Sequence, residues 1–293
     1  MNAVTFSRRN GGFTFVEMIV VIVIIGIVAG IVAVFIRAPI LGYTESVDRA
    51  AVTDEADLAL RRMARDLRLA LPNSVRVTAN GNAVEFLLSS TGGRYLSVDD
   101  DVAGLPFLDF DNAASTTFTA IGGTQRPIQA GNFIVVYNLG DGIAPSEAYN
   151  FPAGPANVNI AQVTAVAPGA DNTSVVTLAS NAFAQQAVPM PSPNRRFQVV
   201  TTPVTYLCTQ LADGSLGLVR YWNYPISAVQ YARPQGSSRQ AMVAGHVASC
   251  NNVFQYGAAA SRASALVILN LSLRTRDSGV VNLVHQVHVD NTP

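Results

Sequence analysis

GGFTFVEMIVVIVIIGIVAGIVAVFI, residues 11–36, decides how the rest of the chain is read. From Met18 to Ile36 no residue is charged, Glu17 stands at the entrance, and Arg8 and Arg9 precede it. A helix rises about 1.5 Å per residue, so this run spans roughly 28 Å, the thickness of a bilayer's hydrocarbon core. It is longer than the roughly 7–15 apolar residues of a cleaved secretory signal. The two arginines, with no acid before Glu17, put the short N-terminal leader on the cytoplasmic side. The chain beyond Arg37 is then expected outside the inner membrane, after a single pass.

An ordinary signal anchor explains the run but not Glu17. A carboxylate in hydrocarbon costs on the order of 2.5–3.5 kcal/mol and normally has both a partner and a role. The next cation in the chain is Arg37, roughly 30 Å further along a helix. Cleavage after Gly12 would create a partner, a new α-amino group on Phe13. That amine would lie about one helical turn from Glu17 in its own chain, and in an assembly it could meet the carboxylate of another subunit.

Gly12 followed by Phe13-Thr14-Phe15-Val16-Glu17 and the long apolar run resembles the class III signal of type IV pilins and type II secretion pseudopilins. The resemblance implies that a membrane prepilin peptidase cuts between Gly12 and Phe13 and methylates the new N-terminus. It also implies that Glu17 sets the assembly register by pairing with a neighbouring subunit's amine. One feature departs from many pilins, which carry a proline in the second half of the apolar helix. Here that region reads Ala33-Val34-Phe35 and the first proline is Pro39. A bend is therefore expected near Pro39, or at Gly26 and Gly30.

Beyond Pro39 a helical pattern resumes. Ala56, Leu60, Met63, Leu67 and Leu71 recur at steps of four, three, four and four, one face of a 3.6-residue period. Asp57 with Arg61 and Arg62 with Asp66 are i,i+4 pairs on the outer faces. Asp54, Glu55 and Asp57 precede Arg61, Arg62, Arg65 and Arg68, an order that suits the helix macrodipole with Thr53 as N-cap. The arginine cluster reads as a solvated face, with a partner contact as the functional alternative. Leu71-Pro72-Asn73 is a stop signal. One interrupted helix is thus expected from Phe13 to Leu71.

After Pro72 the period changes to that of strands. Residues 74–77 and 84–88 flank a turn centred on Asn80-Gly81. Further strands are expected at 132–138, 158–166, 174–179, 196–201, 204–209 and 216–222. Residues 265–276 and 280–289 form the strongest hairpin, across Asp277-Ser278-Gly279. Residues 139–157 and 181–195 read as loops. The expected fold class is α+β: a long N-terminal helix, its first half membrane-spanning, packed on a C-terminal antiparallel β-sheet domain. The expected segments are a leader at 1–12, a membrane or fibre-core helix at 13–37, an amphipathic extension at 38–72 and a β-rich body at 73–293.

Residues 57–76 resemble the post-anchor helix of the MshO group, minor pilin-like components of mannose-sensitive haemagglutinin (MSHA) pilus systems. The ending His285-Gln286-Val287-His288-Val289-Asp290-Asn291 is similar to the tail of that group. Residues 204–208 and 216–221 are similar, more distantly, to a strand pair of J-type pseudopilins and PilW-like minor pilins. These resemblances imply a low-abundance subunit at or near a pilus tip that helps to initiate assembly and has no catalytic activity. The implied partners are major and minor pilin subunits, prepilin peptidase and the inner-membrane assembly machinery, and the implied destination is the fibre at the cell surface. Two other readings stand beside this one: an adhesin carried on a pilin stalk, and a minor pseudopilin of a type II secretion system.

The remaining chemistry is sparse. Nineteen basic and nineteen acidic residues balance to zero, so no global field steers the chain to nucleic acid. Cys208 and Cys250 would lie outside the cytoplasm, where a disulfide persists, with two buried thiols as the alternative. Asp99, Asp100, Asp101, Asp109 and Asp111 could gather oxygen ligands for calcium, but they lack the ligand order of an EF-hand, and a solvated loop is the simpler reading. No other cofactor is suggested. His285 and His288, three apart on a strand, point to opposite faces, and His246 stands alone. Trp222, with Tyr221 and Tyr224, fits a packed strand or a sugar- or partner-binding surface. No G-x-S-x-G, H-E-x-x-H, P-loop or Rossmann pattern occurs, which excludes the commonest hydrolase and nucleotide-binding sites.

Overall fold

The computed structural model describes residues 12–100, 102–140, 142–231, 233–234, 236–258 and 264–293, without the side chains of Ala38 and Ala258. Leader residues 1–11, with Arg8 and Arg9, and the calcium candidate Asp101 lie outside the described residues. The fold class is α+β, a long apolar N-terminal helix followed by a large antiparallel sheet domain. The chain divides into two compact units, residues 1–51 and 52–293.

Helix α1 runs over Phe15–Arg68 with Pro39 inside it. The helix was expected to be interrupted, yet it continues through Gly26, Gly30 and Pro39. Proline removes one backbone bond, the one its own N–H would have made to the carbonyl four residues earlier, and the bonds of the flanking turns remain. In the first unit, residues 12–37 are all exposed. In the second, Ala56, Ala59, Leu60, Met63, Leu67 and Ala70 form a buried stripe, while Arg61, Arg62, Arg65 and Arg68 face solvent.

The sheet domain contains β1 (Arg76–Val77), β2 (Ala83–Tyr95), β3 (Thr117–Ile121), β4 (Phe133–Val135), β5 (Ile160–Pro168), β6 (Ser174–Leu178), β7 (Arg196–Gln210), β8 (Leu216–Trp222), β9 (Arg239–Ala244), β10 (Phe254–Ala258), β11 (Ser264–Arg274) and β12 (Val280–Asp290). Strands β1 to β9 form one sheet and β10 to β12 a second. The long pair β2–β7 is the spine of the first. Near Ala83 and Leu207 it is flanked by β1 on one side and by β8 and then β9 on the other.

Near Arg94 and Arg196 the same pair enters a closed ring. There β2 pairs with β3, β3 with β6, β6 with β5, β5 with β4, and β4 with β7. The result is a six-stranded antiparallel barrel, and closure removes its edges. Its interior is filled by residues such as Phe118, Ile134, Val163, Val176, Phe197 and Val199, with the Phe118 and Phe197 rings edge to face at 5.6 Å.

A second core lies under the helix. The α1 stripe packs with Val84, Phe86, Val204, Tyr206 and Leu218 of the larger sheet and with Val267, Leu269, Leu271, Val287 and Val289 of the smaller. Strand β11 alternates buried and half-buried residues along almost its whole length, the pattern of a sheet with one covered face.

The expected pair 196–201 and 204–209 is a single strand, β7, with Pro203 in the middle. Cys208 N–H donates to the Asn82 carbonyl on the β2 side, so odd-numbered residues such as Pro203 turn their nitrogens to the other side. There β4 ends at Val200 and β8 begins at Val204. Pro203 falls in the gap, where a missing donor removes no ladder bond. Strand β2 extends to Tyr95 through Ser89-Ser90-Thr91-Gly92-Gly93, past the expected strand end at residue 88. Strands β3, β9 and β10 were also not anticipated. Short 3₁₀ turns at Ala148–Ala153 and Phe183–Gln185 lie within the expected loops.

Candidate processing and assembly site

Gly12, Phe13 and Thr14 lie outside the helix, which begins at Phe15. Thr14 is its N-cap: the Thr14 Oγ1 accepts the Glu17 N–H at 3.3 Å, and the Thr14 carbonyl accepts the Met18 N–H at 3.2 Å. Thr-x-x-Glu is the spacing of a capping box, a helix-start signal written in Thr14 and Glu17 themselves. It explains why the helix starts two residues past the Gly12–Phe13 bond and leaves that bond in non-helical chain, the form a protease cleft accepts.

The capping position also gives Glu17 a local benefit, since an acid in the first turn complements the macrodipole by about 0.3–1 kcal/mol. That falls short of the roughly 2.5–3.5 kcal/mol cost of a carboxylate in hydrocarbon. A further partner is still needed once the helix is in lipid or in a fibre core. Residues 18–36 need cover as well. Exposed Ile, Val, Phe and Met side chains fill the run, and each is worth about 1.5–3 kcal/mol when buried. By length and composition this helix can cross a membrane.

The other candidates lie in the second unit. Cys208 on β7 and Cys250 before β10 are joined by a disulfide, tying the two sheets together. Asp57 and Arg61 form the expected i,i+4 pair at 2.8 Å. Asp66 does not pair with Arg62. Its carboxylate accepts from Arg220 Nε and from the Tyr206 hydroxyl, each at 2.8 Å. It sits beside the buried stripe, and a half-buried cation on β8 offers a better partner than an exposed arginine on the same helix.

Asp99, Asp109 and Asp111 line one open groove of about 650 Å³ with Phe107, Phe110 and Arg195. Asp99 and Asp100 pair with Arg195. The Ser97 amide, together with Arg195, holds the Asp100 carboxyl below the usual carboxylate range. Asp109 Oδ1 accepts the backbone amides of Asp111 and Asn112. Among the described residues no three His, Cys, Asp or Glu side chains are placed to share a metal ion. His285 is half-buried and His288 exposed on β12, and His246 is exposed. Trp222 is half-buried against the core beneath the helix, with the Arg220 guanidinium 4.8 Å above its ring.

One polar cluster was not foreseen. Glu85, buried on β2, accepts from Arg76 Nε at 2.8 Å and from the Tyr224 hydroxyl at 3.1 Å. Arg76 also donates to the Ser227 and Ala228 carbonyls and stacks 3.7 Å from the Tyr149 ring centre. Burial pushes the Glu85 carboxyl up, against the pull of Arg76 and Tyr224. The available signal was a lone acid inside the apolar stretch Ala83-Val84-Glu85-Phe86-Leu87-Leu88.

Residues 7–33 match the model of the prokaryotic N-terminal methylation motif. The motif supports a type IV pilin-like chain and implies processing by prepilin peptidase and assembly with other pilins. Members of that family are structural subunits, not enzymes. Neither the curated proteins nor the solved structures contain a significant match to the chain.

Proposed function

We propose that this chain is a minor pilin-like subunit of an MSHA-type pilus, cut between Gly12 and Phe13 and incorporated at or near the fibre tip to help initiate assembly. The observation that carries the proposal is a methylation motif on a helix whose apolar residues 18–36 are all uncovered, joined to a body with complete cores of its own. The chain itself has three tasks in this reading. The non-helical Gly12–Phe13 bond presents the cut, the apolar helix moves from lipid to a fibre core, and Glu17 receives a neighbour's new amine. Burial against neighbouring helices makes extraction from the bilayer favourable only within an assembly. The body would begin in the periplasm and end at the cell surface.

Intact-mass analysis of the chain in sheared pilus fractions tests this directly. The expected mass corresponds to a methylated N-terminus at Phe13, and a chain still carrying Met1 overturns the reading. A pilus-presented binding module is a second reading, favoured by the barrel groove of about 650 Å³ with its aromatic and charged walls. Complementing a deletion strain with a chain whose groove loops are shortened separates the two. Restored pili with lost adhesion indicate a binding module, and lost pili indicate an assembly role. If pili persist in the deletion strain while protein secretion fails, the chain is instead a minor pseudopilin.

A further inference from the structure

Among the described residues the fold protects every long sheet edge but one. The barrel is closed. Strand β1 is two residues long, and its Arg76 carbonyl is taken by the Gln230 side chain. The outer edge of β10 is met by the hairpin turn, with Phe254 N–H bonded to the Gly81 carbonyl and Asn252 N–H to the Asn80 carbonyl. Strand β9 is six residues long and opens with Arg239. Strand β12 is eleven residues long, roughly 37 Å, and pairs on one side only.

The main-chain groups that face the open side follow from the register. On β11, Asn270 and Arg274 donate their N–H groups, and Ser272 offers its carbonyl, to segments on the side away from β12. Their register partners on β12 are Val284, Val280 and Asn282. In an antiparallel ladder, a residue whose partner turns away must itself turn outward. The outward row is therefore Val280, Asn282, Val284, Gln286, His288 and Asp290, and all six side chains are exposed. The row holds no Lys, Arg or Pro, and its single acid stands at the end. Natural edges normally carry such residues to block pairing.

We infer that β12 is a docking edge that accepts an uncharged, extended strand from a neighbouring pilin-like subunit, extending the three-stranded sheet by one. A row of free N–H and C=O groups is complementary to another strand's backbone and to little else. The occupant is a fibre neighbour because the methylation motif implies assembly with other pilins; in this respect the inference rests on the function proposed above.

The test uses the full-length chain in cells that make the pilus, with a photoreactive phenylalanine at Val284. The expected product is a crosslink to a second protein that itself carries a prepilin-type N-terminus. Val284→Pro, or Gln286→Pro on the same row, removes an outward donor that the fold does not use. Crosslinking from a neighbouring row position is expected to fall about tenfold, the effect of losing one or two main-chain bonds, with the melting temperature nearly unchanged. His285→Pro removes an inward donor and is expected to lower the melting temperature instead. No crosslink, a crosslink only to a second copy of this chain, or one only to an unrelated protein overturns the inference. So does undiminished crosslinking in both proline variants. None of these outcomes touches the fibre-subunit reading, which fails separately if the chain keeps Met1.

Discussion

Glu17 and Glu85 are two acids in apolar surroundings, and they have opposite solutions. Glu85 is satisfied inside its own fold by Arg76 and Tyr224. Among the described residues the Glu17 carboxylate receives only the first-turn dipole, while its backbone N–H donates to the Thr14 hydroxyl. Glu17→Gln is expected to leave membrane insertion intact and to deplete the chain from sheared fibres, measured by immunoblot of membrane and pilus fractions. Normal incorporation would contradict the pairing argument. For Glu85 the native carboxyl titrates above its ordinary 4.5. The folded state then binds the proton more tightly than the unfolded chain does. This group's contribution to stability is complete below about pH 4.5 and is lost as pH rises through the raised value. Glu85→Gln keeps an acceptor for Arg76 and is expected to abolish that component of the melting-temperature profile above pH 4.5. Glu85→Ala leaves a mostly buried cation without its carboxylate and is expected to cost about 3 kcal/mol. A profile identical to that of the native chain would remove Glu85 from the account. The capping box and the lone acid in 83–88 were both legible as short patterns. The Tyr224 hydroxyl that completes the Glu85 site was not, because it comes from a segment more than a hundred residues away in the chain.

At the scale of elements, periodicity served the helix and the final hairpin well. The α1 stripe and the β11–β12 pair are local patterns that each bury one face. It failed where an element is defined by a remote neighbour. Ser89 to Gly93 has little strand propensity of its own, yet the aligned residues of β7 hold it in a barrel stave. Gly81 shows the same dependence in one residue. Its φ is +65°, and a Cβ there would come within 2.7 Å of the Phe254 carbonyl of the other sheet. The disulfide between Cys208 and Cys250 joins the sheets across a sequence separation of 42, and a loop of that length is worth about 4 kcal/mol in the chain-entropy model. Cys250→Ser is expected to lower the unfolding free energy by about that amount in chemical denaturation. A change below about 1 kcal/mol would mean that the two sheets are already held by their shared core, since surface changes commonly lie in that range.

For the whole molecule, the boundary between the two compact units lies inside helix α1, at Ala51 and Val52. Among the described residues every buried core residue follows it, the first being Ala56. A chain of residues 52–293 is expected to be soluble and to unfold cooperatively by circular dichroism, whereas the full chain requires detergent. Aggregation of the shortened chain on size exclusion would show that residues 1–51 contribute to the body's stability. Folding of the barrel needs β2 and β7 to pair across more than a hundred residues, a long-range closure that is slow relative to the α1 contacts.

The amino-acid order by itself determined the membrane-length apolar helix, the methylation motif, the helix stripe, the α+β class and the terminal hairpin. Each of these is written in neighbours within a few turns or one reverse turn of one another, where sterics and hydrophobic period act locally. Only the tertiary structure decided that one long strand pair serves two cores, that a stretch rich in serine and glycine closes a barrel, that Asp66 turns to the sheet, and that β12 keeps an open edge. Those outcomes depend on which distant backbone lies alongside, and hydrogen-bond pairing between remote segments leaves no periodic trace in either of them.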